Sequence, residues 1–297
     1  MKNEFIKISS DNDSYNPNIR YYPSGELGIE LKDKEVPVRI DASIQNSEQL
    51  IVVCGAIRTL KNLSSVHISY LPYQRQEKEK SLSNGNFEVV LSNEVIQLIK
   101  SAIGDRDIKV FTYDNHTEIK ERNFYQLKPN VSSIASSAFT TLSKKGLTDN
   151  REFTDYISNL VIVYPDKGAL TRYGKGCGYK TIYFNKSRNE KGEIVSQSVD
   201  GDLQDLNTIS GRDILVIDDI SDGGATFINL GKVIKKNKPQ SMSLYVSNAL
   251  LSKGSDGVNE MLSIYDSFIC NWKVKENDPE DKVSIVDIYW EHFSSSD

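Results

Sequence analysis

With 297 residues the chain has the length of about two domains, and 38% hydrophobic with 26% charged residues fits a folded globular protein rather than a disordered one. A net charge of −5 with acids and bases interspersed excludes a broad polyanion-binding surface, so nucleic acid is not an expected partner. No run approaches the roughly 18 apolar residues that span a bilayer. Met1–Phe5 lacks the apolar core of a signal peptide, so no membrane partner and a cytoplasmic location are expected.

Along the chain, strand and helix patterns alternate, the mark of α/β architecture. Val36–Ile40 alternates apolar with other residues, and Leu50–Cys54 reads as a buried strand that encloses the Cys54 thiol. Ile57–Leu63 is predicted helical and Val66–Leu71 a strand ending at Pro72. Ser92 is the expected N-cap of a helix over Asn93–Ile103, with Val95, Ile96, Leu98, Ile99 and Ala102 facing inward and Gly104 as its stop. Ile108–Thr112 is the next strand. Ser132–Lys145 is predicted as a helix, Leu147–Glu152 as a loop, and Leu160–Tyr164, Tyr179–Phe184, Ile214–Ile217 and Met242–Val246 as strands of a second parallel sheet. Lys186–Glu193 is polar and aperiodic and reads as a flexible loop of the kind used as a lid. Cys54, Cys177 and Cys270 show no metal-ligand spacing, and their odd number fits a reducing compartment.

The most telling segment is Asp213–Thr226. Its apolar run Ile214–Ile217 ends in Asp218 and Asp219, followed by the glycine-bearing turn Asp222-Gly223-Gly224-Ala225-Thr226 and an amphipathic helix. Backbone N–H groups of such a turn at a helix N-terminus attract an anion. The acids just before it would repel a phosphate but accept well from vicinal hydroxyls. Together these pieces describe a pocket for a ribose with a 5-phosphate, at the strand ends where open α/β sheets bind ligands.

The segment resembles the phosphoribosyltransferase signature. From Arg20 to about residue 292 the chain resembles the ribose-phosphate pyrophosphokinases, also called phosphoribosyl pyrophosphate synthetases, through six short motifs in that family's order. Tyr22-Pro23-Ser24-Gly25-Glu26, a β-turn motif when taken alone, resembles the aromatic-x-Asp-Gly-Glu that holds adenine, with Ser24 in place of the usual Asp or Asn. An aromatic face stacks a purine and Glu26 accepts from an exocyclic amine. Tyr73-Gln74-Arg75-Gln76-Glu77-Lys78 matches a nucleotide-binding stretch in which Arg75 offers a fork for phosphate oxygens and Gln76 an amide. Tyr113–Glu118 contains His116, which the resemblance assigns to the magnesium–nucleotide. Tyr164–Ala169 contains Asp166, a metal or sugar-hydroxyl ligand by the same reasoning, with Ala169 where the family has glycine. Lys186 and Arg188 match the Lys-x-Arg at the root of the catalytic loop, cations suited to the charge that develops on phosphoryl oxygens. In the phosphate loop Gly223 replaces a threonine, and at Tyr245–Ser252 Asn248 replaces a histidine.

The resemblance implies an α/β fold of two phosphoribosyltransferase-like domains, each with a central, mostly parallel sheet flanked by helices, and an active site in the cleft between them. The expected boundaries are 1–131 for the nucleotide side, 132–284 for the ribose 5-phosphate site and 285–297 for a tail docked on the body. It implies magnesium-dependent transfer of the diphosphate of ATP to the C1 hydroxyl of ribose 5-phosphate, giving phosphoribosyl pyrophosphate and AMP, in a homo-oligomer, dimer or hexamer. Tyr22, Glu26, Arg75 and Gln76 hold the nucleotide, His116 and Asp166 the metal, Asp218 and Asp219 the ribose, Asp222, Gly223, Gly224, Ala225 and Thr226 the 5-phosphate, and Lys186 and Arg188 the transition state. The departures at Ser24, Ala169, Gly223 and Asn248 motivate a second acceptor, a nucleotide-linked ribose 5-phosphate such as ADP-ribose, which would place the chain in NAD salvage. Two further alternatives are a non-catalytic regulatory relative and a phosphoribosyltransferase that consumes the pyrophosphate.

Overall fold

The structure, a computed structural model, describes residues 5–11, 13–32, 35–76, 79–81, 87–148, 150–188, 194–201, 206–288 and 290–292; side chains at 80, 81, 87, 88, 185–188, 194–201, 275 and 290–292 lie outside that description. The chain divides into two compact units, Met1–Lys128 with Trp290–Asp297, and Pro129–Tyr289.

The first unit contains β1 (Ile6–Ser10), β2 (Asp13–Tyr15), β3 (Asn18–Tyr21), β4 (Leu27–Glu30), β5 (Val38–Ser43), α1 (Ser47–Thr59), β6 (Leu63–Tyr70), β7 (Lys80–Ser81), β8 (Phe87–Glu88), α2 (Leu91–Ile103), β9 (Lys109–Tyr113) and β10 (Phe124–Pro129). Strands β5, β6, β9 and β10 are parallel neighbours, and β1 and β2 extend the sheet antiparallel beyond β5. A returning strand, Trp290–His292, closes the other edge beside β10. The β3–β4 and β7–β8 pairs are separate hairpins.

The Leu50–Cys54 strand expected above is instead the middle of α1. Asn46 Oδ1 accepts from Gln49 N at 2.9 Å and starts the helix. Leu50, Val53, Ala56 and Ile57 bury at helical spacing while Ile51 is 68% exposed. A five-residue apolar run does not by itself distinguish a buried strand from a helix. Cys54 is therefore a half-buried helix thiol, pushed up to about 11 by burial that outweighs Arg58. Ser92 is not the N-cap of α2 either: Leu91 already belongs to the helix, and the Ser92 hydroxyl donates to the Gln76 carbonyl at 3.1 Å. Val95, Ile99 and Ala102 are buried and Ile96 partly so, but Leu98 is half exposed because it falls outside the stripe. Gly104 ends the helix with φ 63°.

The second unit contains α3 (Val131–Lys144), α4 (Phe153–Asn159), β11 (Leu160–Tyr164), α5 (Lys167–Tyr173), β12 (Lys180–Arg188), β13 (Ile194–Gly201), β14 (Asp213–Ser221), α6 (Ala225–Lys235), β15 (Ser241–Ala249), α7 (Gly254–Leu262), β16 (Ser267–Lys273) and β17 (Ser284–Ile285); the returning strand of the first unit is then β18. The sheet order is β13-β12-β11-β14-β15-β16-β17, with every neighbouring pair parallel except β12–β13. From β11 the chain first steps to β12 on one side and then to β14 on the other. The strand order therefore reverses between β11 and β14, and such a reversal opens a crevice at the carboxyl ends of the strands.

Lys186 and Arg188 do not stand in a loop. They lie on β12, which continues past Phe184 and pairs with β13, Lys186 opposite Gln197 and Arg188 opposite Ile194, with a bulge at Ser187/Arg188. A polar hairpin arm has no apolar alternation to reveal it in sequence. The rest of the expected loop, 189–193, lies outside the described residues, as do Glu77 and Lys78 of the second motif. Among the described residues no helix is long and apolar enough to cross a membrane.

Candidate functional site

The reversal point gathers three of the expected carboxylates. Asp166 follows β11 and caps α5, its Oδ1 accepting from Ala169 N at 3.1 Å. Asp218 and Asp219 stand near the end of β14, the parallel neighbour of β11. Asp219 is 3% exposed and faces Arg172 of α5, whose Nη2 lies 3.4 Å from its Oδ2. Asp218 accepts from Asp219 N at 3.0 Å. Burial, then the charges of Asp219 and Asp166, push the Asp218 carboxyl well above the usual carboxylate range, and the Asp219 N–H offsets this only in part. Asp218 is therefore short of positive charge, a state that a bound cation or hydroxyl donors would relieve.

The loop that follows turns sharply into α6. Gly224 caps α6 in the left-handed region, φ 75°, and a Cβ there would meet Met261 Sδ at 2.8 Å, so only glycine fits. Its carbonyl already accepts from Ile228 N, while the first N–H groups of α6 lack intrahelical partners. Asp222, Gly223 and Thr226 are half-buried, Gly224 is buried and Ala225 is exposed. Ser221 Oγ and Asn248 Nδ2, on residues each 1% exposed, have no hydrogen-bond partner among the described residues.

In the first unit, the Tyr22–Glu26 motif is the turn of the β3–β4 hairpin, with Tyr22 N donating to Glu26 O at 2.9 Å. The Tyr22 ring is half exposed and lies across Gly28, where a Cβ would approach its Cε2 to 2.7 Å. Ser24 Oγ donates to Glu26 Oε2 at 2.8 Å, so one oxygen of the expected adenine ligand has a local donor. The second and third motifs are brought together at the carboxyl ends of β6 and β9. Gln74 Oε1 accepts from His116 N at 2.8 Å, and Thr117 Oγ1 donates to Gln74 O. Arg75 is exposed in the turn, His116 is half-buried, and Gln76 Oε1 is buried without a hydrogen-bond partner among the described residues. A cavity of about 380 Å³ opens beside this junction, lined by Leu71, Gln74, Ser92, Ile96, Asn115 and Thr117 among others, but not by Arg75, Gln76 or His116.

Among the described residues no group of three or more His, Cys, Asp or Glu side chains is disposed to hold a metal ion. Magnesium bound with a nucleotide takes one or two carboxylates and fills its shell with phosphate oxygens and water, so the Asp166–Asp218 pair suits it as a donor set. Sequence reasoning did not find Arg172, which no local pattern marks, nor Lys253, which directly follows the Tyr245–Ser252 motif and packs beside Gly223.

Two α/β units, one with a phosphate-type loop and carboxylates at a strand-order reversal, define the phosphoribosyltransferase type of fold. No family model matches the chain. It is similar to the ribose-phosphate pyrophosphokinase of Ureaplasma parvum, 25% identical over 283 residues, 90% of this chain and 78% of that one. The enzyme of that name from Methanothermobacter thermautotrophicus is 27% identical over 264 residues, 82% of each chain. That of Porphyromonas gingivalis is 24% identical over 245, 79% of this chain and 71% of the relative. The crystal structure of phosphoribosylpyrophosphate synthetase from Mycobacterium smegmatis superposes with TM-score 0.60 at 16% identity, over 86% of this chain and 79% of that one. The chain is a divergent relative of the ribose-phosphate pyrophosphokinases, with their fold.

Proposed function

We propose that the chain is a pyrophosphokinase that transfers the β,γ-diphosphate of ATP to the C1 hydroxyl of a ribose 5-phosphate group. The C1 oxygen attacks the β-phosphorus, the bond from that phosphorus to the α–β bridging oxygen breaks, AMP leaves with that oxygen, and the hydroxyl proton is released. The observation that carries this reading is the reversal crevice of the second unit, where Asp166, Asp218, Asp219 and the Gly224-capped loop share one end of one sheet.

In this reading Asp218 and Asp219 accept from the ribose 2- and 3-hydroxyls, with Arg172 holding Asp219 in place. The N–H groups of Asp222–Thr226 cradle the 5-phosphate. Tyr22, Glu26, Arg75 and Gln76 hold ATP, and Gln76 Oε1, without a partner among the described residues, is free to accept from an N–H donor of the nucleotide. Lys186 and Arg188 stabilise the charge developing on the transferred phosphoryl. Magnesium would neutralise the diphosphate, with His116 placing the ion that accompanies the nucleotide and Asp166 a second ion at the ribose side. A homo-oligomer in the cytoplasm is part of the same reading, and light scattering of the purified chain tests the assembly.

A second acceptor is favoured by one observation. The phosphate loop bears no side chain at Gly223, and a Cβ there would already touch Lys253 and Ser252 at 3.5 and 3.6 Å. The bare backbone at 223 thus lets the Lys253 stem pack against the loop, and a cation placed there suits a substituted 5-phosphate, as in ADP-ribose. Mass spectrometry of the products from ATP, magnesium and either ribose 5-phosphate or ADP-ribose tests both versions. AMP with a pyrophosphorylated acceptor supports the reading; no AMP with either acceptor overturns it and leaves the regulatory relative. Pyrophosphate release that depends on an added base would indicate a transferase.

A further inference from the structure

The Lys253 side chain lies against two residues that have none. A Cβ on Gly223 would stand 3.5 Å from Lys253 Cε, and one on Gly257, near the start of α7, would meet Lys253 Cβ at 2.7 Å. The lysine stem is thereby seated between the phosphate loop and α7. Lys253 is exposed and no carboxylate pairs with it among the described residues. Gly224 needs glycine for its left-handed backbone, but Gly223 is outside that region. What the missing side chain at 223 provides is therefore close packing of the Lys253 stem and Ser252 on the loop backbone. Ser221 Oγ and Asn248 Nδ2, buried and without partners among the described residues, stand at the ends of β14 and β15, the strands that lead into Gly223 and Lys253. Unpaired buried polar groups point to a polar ligand or water at that end.

We propose that Lys253 and Ser252 form a second phosphoryl subsite beside the loop, so that the site selects a ribose whose 5-oxygen carries a diphosphate over one carrying a monophosphate. The inference rests on the reading that Asp222–Thr226 cradles the 5-phosphate. The loop amides take the first phosphoryl, and the Lys253 ammonium, whose stem packs on the bare backbone at Gly223, meets the second as a mobile point charge. The Ser252 hydroxyl, which packs on the same position, is a donor to the same oxygens.

Isothermal calorimetry without ATP tests this on the full chain, with ADP-ribose and ribose 5-phosphate as probes. The wild type is expected to bind ADP-ribose about tenfold more tightly. K253M should reduce that ratio to roughly threefold or less and K253R should restore most of it. G257A, whose new methyl crowds the Lys253 Cβ, should lower the ratio, as should G223T, which pushes the Lys253 stem off the loop on an unstrained backbone. A wild type that prefers neither probe or binds neither, or variants that weaken both probes by the same factor, would overturn the proposal. Thermal melts confirm that each variant is folded. Because binding is read without turnover, a chain inactive with both acceptors would end the pyrophosphokinase reading, while the binding ratio still decides the role of Lys253.

Discussion

The two seven-stranded sheets use similar βαβ units but bury them differently. In the second unit β11 and β15 are buried along their whole length and β14 through Ile217, so both faces of the sheet are covered. In the first unit β5, β6 and β9 alternate buried residues with less buried ones. One face carries Ile40, Val66, Ile68 and Val110 packed on α1 and α2; the other presents Asp41, His67, Phe111 and Tyr113. The strand order differs too. Only the second sheet reverses within its parallel set, and there the carboxylates and the phosphate-type loop collect. A covered sheet holds charged groups at its ends without competition from polar groups along its faces, which suits it to the sugar-phosphate site proposed there. In the first sheet the motif residues Gln74 and His116 stand in loops instead.

The contrast should show most strongly in what a charge costs to lose. Asp213, at the amino end of β14, is fully buried; Arg151 donates to both its oxygens at 2.6 and 3.0 Å, and Ser241 and Asn159 add donors at 2.6 and 2.9 Å. Asp213→Ala strands the guanidinium in a covered sheet and should cost about 4 kcal/mol. Urea unfolding measures it. A loss below about 1 kcal/mol would mean that this end of the sheet is as open as the first unit's polar face.

A second buried charge gives the comparison a pH axis. Lys273, 3% exposed at the end of β16, donates to Asp278, Asp281 and the Val283 carbonyl. Burial pushes the Asp278 carboxyl up, but Lys273 and the Val283 and Lys282 N–H groups outweigh it and hold it below the usual carboxylate range. The same hydrogen bonds raise Lys273 despite the opposing effect of its burial. The Asp278 contribution is therefore present above the unfolded carboxylate pKa and lost as pH falls through its lower folded value. The Lys273 contribution is present below the unfolded lysine pKa and lost as pH rises through its higher folded value. Asp278→Asn should cost about 3 kcal/mol at neutral pH, and its deficit should shrink below about pH 4. A deficit that stays constant down to acid pH would refute the pairing.

This difference in burial also decided how much could be read in advance. Leu160–Tyr164 was legible to the residue because a doubly covered strand is a continuous apolar run set between turn signals. Ile214–Ile217 was legible for the same reason, and its two aspartates and loop announced the carboxyl edge. The same rule failed at Leu50–Cys54, where an apolar run belongs to a helix whose cap, Asn46, lies four residues upstream. The β12–β13 hairpin was hidden because its arm beyond Phe184 is polar. Within the site, pairs distant in sequence carried no local signal: Asp219 with Arg172, Gln74 with His116, Gly223 with Lys253. These contacts exist only once the strand order is set.

The helix over Leu50–Cys54 makes a sharp intermediate prediction. Leu50 is 2% exposed and its neighbour Ile51 is 68% exposed. Leu50→Ala should cost about 3 kcal/mol as a core truncation, whereas Ile51→Lys should change stability by less than about 0.5 kcal/mol. A doubly buried strand would lose heavily at both positions. Equal large losses in thermal melts of the two variants would thus return the segment to the strand reading and remove the main apolar support of the first sheet.

The smallest effect belongs to the exposed counterpart of Asp213. Asp41 lies on β5 with Arg39 Nε 3.1 Å from its carboxylate and Ser9 Oγ donating at 2.8 Å, and the Arg39 side chain is 52% exposed. A pair in that setting is screened by water, and Asp41→Ala should cost under about 1 kcal/mol. The substitution has a second readout because Asp41 faces His67, which hydrogen-bonds Tyr113 at 2.9 Å. Burial holds His67 below its ordinary pKa, and the Asp41 charge opposes that while Arg39 adds to it. Removing the carboxylate should therefore lower the His67 pKa further, which an NMR titration of its ring protons follows. An upward shift would show that the open face is not governed by these exposed charges, and the distinction drawn between the two sheets would fail on the first unit's side.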